Sequence, residues 1–153
     1  MKKRVLFLCP ANSARSQMAE ALVNHDLGDR FEAHSAGTAP KTPHPAALKV
    51  LAEIGIDHSR ARSKSIDEFE GQPFDYVITL CDAANETCPL FFGGVERAHL
   101  GFEDPARATG SEEEVLTAFR RVRDQIRETA ENYLRSAEGV FPTDQDEGKI
   151  KRP

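Results

Sequence analysis

The stretch Val5-Leu6-Phe7-Leu8-Cys9-Pro10-Ala11-Asn12-Ser13-Ala14-Arg15-Ser16 passes from an apolar run through a short polar turn into a helical pattern. Residues 3–8 read as a strand buried on both faces of a parallel sheet, because the run is nearly continuous in apolar residues rather than alternating. A helix is expected from about Ser13 to Leu27, with Ala14, Met18, Ala21 and Leu22 on one face and Gly28 as its stop. A loop at such a junction can turn successive N–H groups inward as an anion nest, and the first helical turn adds N–H groups with no intrahelical partner. Ala11, Asn12, Ser13, Ala14, Arg15 and Ser16 are therefore the expected oxyanion-binding residues.

Cys9 opens this loop and Arg15 closes it. Cysteine attacks as its thiolate, and a thiol pKa near 8.5 falls to roughly 3.5–7.5 where the sulfur faces a helix N-terminus and a cation. The arginine brings a planar fork that holds two oxygens of a tetrahedral anion. A buried cysteine beside a solvated arginine is the plainer alternative. The strand-to-helix position, with Asn12, Ser13 and Ser16 available to shape the loop, weighs against it. Asn12 and Ser13 are expected to tie the loop through hydrogen bonds to backbone, with ordinary helix capping a parallel role for Ser13. Ser16 is expected to donate a hydrogen bond to the Cys9 sulfur.

The 153 residues suit one domain with its own core, and the net charge of -5 with scattered Lys and Arg argues against a nucleic-acid partner. The N-terminal apolar stretch is too short for a secretory signal, and no stretch reaches the ~18 apolar residues of a membrane span. A cytoplasmic monomer is expected. Three cysteines cannot all pair with one another, and in a reducing compartment they point to chemistry rather than to structural bridges.

Further along, a strand is expected at 31–35 before Gly37, and a helix from Pro45 carrying Ala47, Val50, Leu51 and Ile54 until Gly55. Ser65 caps a short helix over 66–69, a strand follows at 75–80 ending at Cys81, and a weaker strand lies around 97–100. Ser111 and Glu114 form a capping-box pattern opening a long helix with the stripe Val115, Phe119, Val122, Ile126, Ala130 and Tyr133. Strands alternating with helices imply an α/β fold: a single doubly wound domain over residues 1–138, with a four-stranded parallel sheet flanked by helices. Residues 139–153 read as a mobile charged tail. In such a sheet ligands bind beyond the carboxyl ends of the strands, so Cys9, Cys81 and the loop holding Asp104 are expected on one rim.

Three segments, 9–20, 79–89 and 101–105, together resemble the low-molecular-weight protein tyrosine phosphatases and, within them, the thioredoxin-coupled arsenate reductases. The resemblance covers roughly residues 4–135. It implies Cys9 as nucleophile, Arg15 as oxyanion clamp, Asp104 as general acid, and a relay in which Cys81 attacks Cys9 and Cys88 then attacks Cys81. It implies arsenate as substrate, phosphate or sulfate as analogues, thioredoxin as electron donor, and no tightly bound cofactor. The relay requires the 82–88 segment to loosen. Cys81 and Cys88 are spaced too widely for an ordinary zinc pair, so no metal is expected there. Some relatives bind potassium beside the loop; Asn12, Glu20 and Ser35 match that set, while Lys64 stands at the acidic position. A lysine ammonium there can replace the cation and bind Glu20, which argues against a potassium requirement; a solvated lysine is the alternative. A phosphatase acting on aryl phosphates through a Cys9 phosphocysteine is the rival, although Gln17 and Ala106 stand where that group places Pro and an aromatic clamp. A non-catalytic oxyanion or arsenic sensor is the third reading.

Overall fold

A computed structural model describes residues 2–82, 87, 91 and 94–138. The expected tail at 139–153 and Cys88 lie outside the described residues. Four strands, β1 (Lys3–Leu8), β2 (Phe31–Ala36), β3 (Phe74–Thr79) and β4 (Gly94–His99), form one parallel sheet in the order β2-β1-β3-β4. Three α-helices, α1 (Arg15–Asp26), α2 (Pro45–Glu53) and α3 (Glu112–Ala137), complete the α/β architecture with 3-10 turns at Ile66–Phe69 and Pro105–Arg107.

The two central strands, β1 and β3, are apolar on both faces and divide the core into two layers. Val5 and Phe7 join Phe31, Tyr76 and Ile78 under all three helices, whose Met18, Leu22, Leu51, Phe119, Ile126 and Leu134 fill the larger layer. On the opposite face Leu6, Leu8 and Val77 pack against Phe69, Phe74 and Phe91. Alternation along a strand sends successive side chains to opposite faces, so one apolar run feeds both layers.

Local chemistry sets most boundaries. Pro45 opens α2 at a position where its missing N–H costs nothing, and the capping box of Ser111 and Glu114 opens α3. Ser65 accepts from the Asp67 N–H at the short turn. Gly28 follows α1 because a Cβ there would stand 2.2 Å from the Asn24 carbonyl oxygen. The Asn24 side chain meanwhile bonds both the N–H and the C=O of Ala33, covering the open edge of β2.

Two expectations shift. The last strand begins at Gly94 rather than near 97, because pairing with β3 from Phe74 onward imposes strand geometry on a segment too polar to announce it. The first helix begins at Arg15, and Ser13 does not cap it; α1 has no side-chain cap at all.

At the far end of α1, Asp26 receives both Arg127 nitrogens, at 2.7 and 2.8 Å, from α3. Burial raises the Asp26 carboxyl, but hydrogen bonds from Arg127, Glu131 and His25 outweigh it and hold it well below the usual carboxylate range. Glu131 is only 4% exposed; burial first, then its hydrogen bond to Asp26, push it up to about 8. Between the ordinary value of 4.5 and about 8 the folded chain thus keeps a proton that the unfolded chain has released, so this pair makes stability fall as pH rises through that window. The expected outcome is that Glu131→Gln, which keeps a donor toward Asp26 without a titrating proton, raises stability at pH 8 by on the order of 1–3 kcal/mol relative to the parent and adds little at pH 4.5. Urea denaturation of both proteins at the two pH values checks it.

Candidate active site

The loop between β1 and α1 owes its shape to where its carbonyls go. Pro10 O accepts from Ala39 N, Ala11 O from Lys41 N and Ser13 O from His44 N, each at 2.9 Å, while Ala14 O starts the helical ladder to Met18 N. Asn12 O accepts from the Ser63 hydroxyl and the Gln17 amide. Every peptide bond here is trans, so a carbonyl directed outward sends the next residue's N–H the opposite way. The N–H groups of Ala11, Asn12, Ser13, Ala14 and Arg15 are therefore directed away from those carbonyl partners. The residues expected to bind the oxyanion form one loop at the carboxyl end of the sheet.

Gly37, just past β2, permits this docking. A Cβ on it would stand 2.5 Å from both the Cys9 and the Pro10 carbonyl oxygens, so only glycine lets the 37–44 segment lie against the loop. Asn12 is the one described non-glycine residue in the left-handed region, at φ 47°. Asparagine enters that region more readily than most side chains.

Cys9 is a buried free thiol. Its sulfur lies 2.8 Å from Ser16 Oγ, which itself accepts from Asn12 Nδ2 at 2.8 Å. The Asn12 amide thus holds the Ser16 hydroxyl against the Cys9 sulfur. Arg15 is buried and donates from one terminal nitrogen to the Phe102 carbonyl at 3.1 Å, which fixes the guanidinium plane. Its other terminal nitrogen is 3.8 Å from Asp104 Oδ2. Asp104 Oδ1 accepts from Ala106 N, so this residue ends the turn as Asp-Pro commonly does while keeping its second oxygen toward the arginine.

Behind the loop, Ser35 donates to Glu20 Oε1 at 2.6 Å, and Lys64 Nζ stands 3.4 Å from the same oxygen and 3.2 Å from the Arg62 carbonyl. The Lys64 backbone N–H also bonds Asn12 Oδ1. Asn12, Glu20, Ser35 and Lys64 are thus one cluster, and the lysine side chain, 12% exposed, is not a solvated one. Among the described residues no three His, Cys, Asp or Glu side chains are gathered to hold a metal ion, and no helix is long and apolar enough to cross a membrane.

Cys81 comes two residues after β3 ends at Thr79, on the strand next to that of Cys9. It is buried and disulfide-bonded. Cys9, Cys81 and Asp104 thus follow the carboxyl ends of neighbouring strands, and Arg15 opens the helix after the first of them; Cys88 lies outside the described residues.

Sequence reading missed two histidines. His44 caps α2 by accepting from Ala46 N, stacks on Phe119 with ring centres 4.6 Å apart, and sits within the field of Asp104; burial pushes its imidazole toward neutrality and the Asp104 carboxylate opposes this. His58 bonds Gln17. His-Pro before a helical pattern was a readable sign for His44; His58 carried none.

A family model for low molecular weight phosphotyrosine protein phosphatases matches residues 4–140. An arsenate reductase from Halalkalibacterium halodurans is 47% identical over 125 residues, covering 82% of this chain and 90% of its own. Among solved structures, an arsenate reductase in the phosphate binding state has a TM-score of 0.70 at 30% identity, covering 88% of this chain and 98% of that one. The thioredoxin-dependent arsenate reductase of Corynebacterium glutamicum has a TM-score of 0.61 at 30% identity, covering 88% of this chain and 63% of that one. The chain belongs to the low molecular weight phosphotyrosine protein phosphatase family and stands in it among relatives named arsenate reductase.

Proposed function

We propose that this chain reduces arsenate to arsenite by passing two electrons through Cys9, Cys81 and Cys88, with thioredoxin reducing the final disulfide. The observation that carries the reading is a free Cys9 thiol opening a loop whose carbonyls are bonded outward, with a disulfide-bonded Cys81 just past the neighbouring strand. The relatives named arsenate reductase support the substrate, and the thioredoxin-dependent neighbour supports the donor.

Arsenate enters the ring of N–H groups at residues 11–15 and is clamped by Arg15. The Cys9 thiolate bonds to arsenic as an As–O bond breaks, and Asp104 protonates the departing oxygen, which leaves as water. The Cys81 thiolate then attacks the Cys9 sulfur. The S–As bond breaks with its electron pair moving to arsenic, arsenite departs, and a Cys9–Cys81 disulfide remains. Cys88 attacks Cys81, which frees Cys9 as thiolate and leaves a Cys81–Cys88 disulfide for thioredoxin. The thioredoxin step places the protein in the reducing cytoplasm. Weak hydrolysis of phosphate monoesters accompanies this activity, because the cradle reads charge and shape that arsenate and phosphate share.

Beside the loop, Lys64 replaces a bound cation. Its ammonium neutralises Glu20 and its backbone N–H holds Asn12, so the loop needs no potassium. Steady-state arsenate reduction is expected to be equal in potassium and sodium chloride of matched ionic strength; a strong rise with potassium alone overturns the substitution.

The main test couples thioredoxin, its reductase and NADPH to arsenate addition. Ser at position 9, 81 or 88 is expected to abolish multiple turnover, while Cys88→Ser still releases one equivalent of arsenite. Arsenate binding without NADPH loss in the parent chain would favour a sensor. For Asp104→Asn, kcat is expected to fall by roughly 10²–10⁴-fold with little change in phosphate affinity, since a general acid acts on the transition state while the cradle binds the ground state. Steady-state kinetics with phosphate as competing ligand reads both quantities.

A further inference from the structure

Asn12 does three things at once: its carbonyl faces outward, its side-chain oxygen accepts from Lys64 N, and its side-chain nitrogen donates to Ser16. All three depend on its left-handed backbone, and Gln17 braces that backbone from behind. Gln17 is fully buried; its Nε2 lies 3.1 Å from Asn12 O, 3.1 Å from Asn12 Oδ1 and 3.0 Å from Arg62 O. Three oxygens around one nitrogen fix the orientation of the amide, because only the NH2 end can face acceptors alone. The Gln17 Oε1 oxygen must then receive a donor. It receives one from His58 Nε2 at 2.9 Å.

The geometry points to His58 as a positioning residue for the anion loop: through Gln17 it holds Asn12 in the conformation that delivers its side-chain amide to Ser16, and so the Ser16 hydroxyl to the Cys9 sulfur. Each link is a direct hydrogen bond of 3.1 Å or less, His58 to Gln17, Gln17 to Asn12, Asn12 to Ser16, Ser16 to Cys9. Without the His58 donor, the buried Gln17 oxygen is left unsatisfied and the amide is no longer held at that end, which loosens its grip on the two Asn12 oxygens. The strut reaches the surface at a cavity of about 300 Å³ lined by His58, Asp57, Glu20 and Asn24, so the imidazole can be replaced without filling or emptying the core. The inference rests only on Cys9 attacking an oxyanion, which the reductase and phosphatase readings share.

The test uses the chain with Cys81→Ser and Cys88→Ser, which leaves Cys9 as its single thiol. Glutamine places its amide nitrogen where His Nε2 stands, whereas asparagine reaches only to the Nδ1 position. Alkylation of Cys9 by iodoacetamide at pH 7, with and without inorganic phosphate, is compared in His58→Gln and His58→Asn. The Asn variant is expected to alkylate about tenfold more slowly and to lose about tenfold in phosphate protection, the cost of one lost buried hydrogen bond. The Gln variant is expected to stay within about twofold of the parent, since it restores the donor. Parental behaviour of the Asn variant overturns the inference, as do equal losses in both variants at matched melting temperatures; His58→Leu replaces the Asn variant if that one does not fold. Arsenite formation, scored separately with all three cysteines present, keeps the two claims apart. Its absence from a parent chain whose strut behaves as expected overturns the reductase reading alone.

Discussion

The outward direction of the carbonyls at residues 10–14 is the constraint on which the rest of the site depends. An anion of high charge density must be desolvated to be attacked, and a chain of net charge -5 offers it no general attraction. What the chain offers under the proposed function is local: a loop of N–H dipoles and one arginine fixed by the Phe102 carbonyl. For the N–H groups to converge, every intervening carbonyl needs a partner outside the ring. The 39–44 segment, Ser63 and Gln17 supply those partners, which is why residues far apart in sequence are tied to one short loop.

The same requirement explains the odd character of α1. Its first residues, Arg15, Ser16 and Gln17, are polar and buried, and Ala14 stands at its cap position with no capping side chain. Under the proposed function, a Ser or Asp cap would occupy N–H groups that the anion needs, and capping is left to the ligand, a helix-terminal use of backbone donors common to phosphate sites. The cost of burying Ser16 and Gln17 is offset because each bonds within the network rather than lying idle.

These facts decide what could be read in advance. Strands β1 and β3 announced themselves because both faces are buried, and α3 because Ser111, Glu114 and the stripe from Val115 to Tyr133 carry their signal within a few residues. The loop was legible too, since Cys9 and Arg15 are close in sequence and bracket a strand-to-helix junction. Strand β4 was under-read because Val95, Glu96 and Arg97 are exposed and its conformation comes from pairing with β3. Ser13 misled because a hydroxyl before a helix usually caps it, whereas here its carbonyl matters, bonded to His44. His58 was invisible for a plain reason. Its partner Gln17 is 41 residues away, and nothing local marks either as part of a site.

The cradle alone does not separate a reductase from a phosphatase, because both hold a tetrahedral dianion and both use a thiolate. The difference must lie in a second sulfur able to reach the first, and sheet geometry limits where that sulfur can be. Leu8 is level with Thr79 across the β1–β3 pair, so Cys9 is level with Leu80, and Cys81 is one position further on. Had β3 continued through Cys81, alternation would turn that side chain to the face opposite Cys9, and no exchange could join them. The strand ends at Thr79 instead. Released from the pleat, the backbone at Cys81 is not committed to either face by strand geometry. Under the proposed function, therefore, the length of β3 is part of the chemistry: it carries Cys81 to the rim of the cradle and stops before it would fix the sulfur on the wrong side.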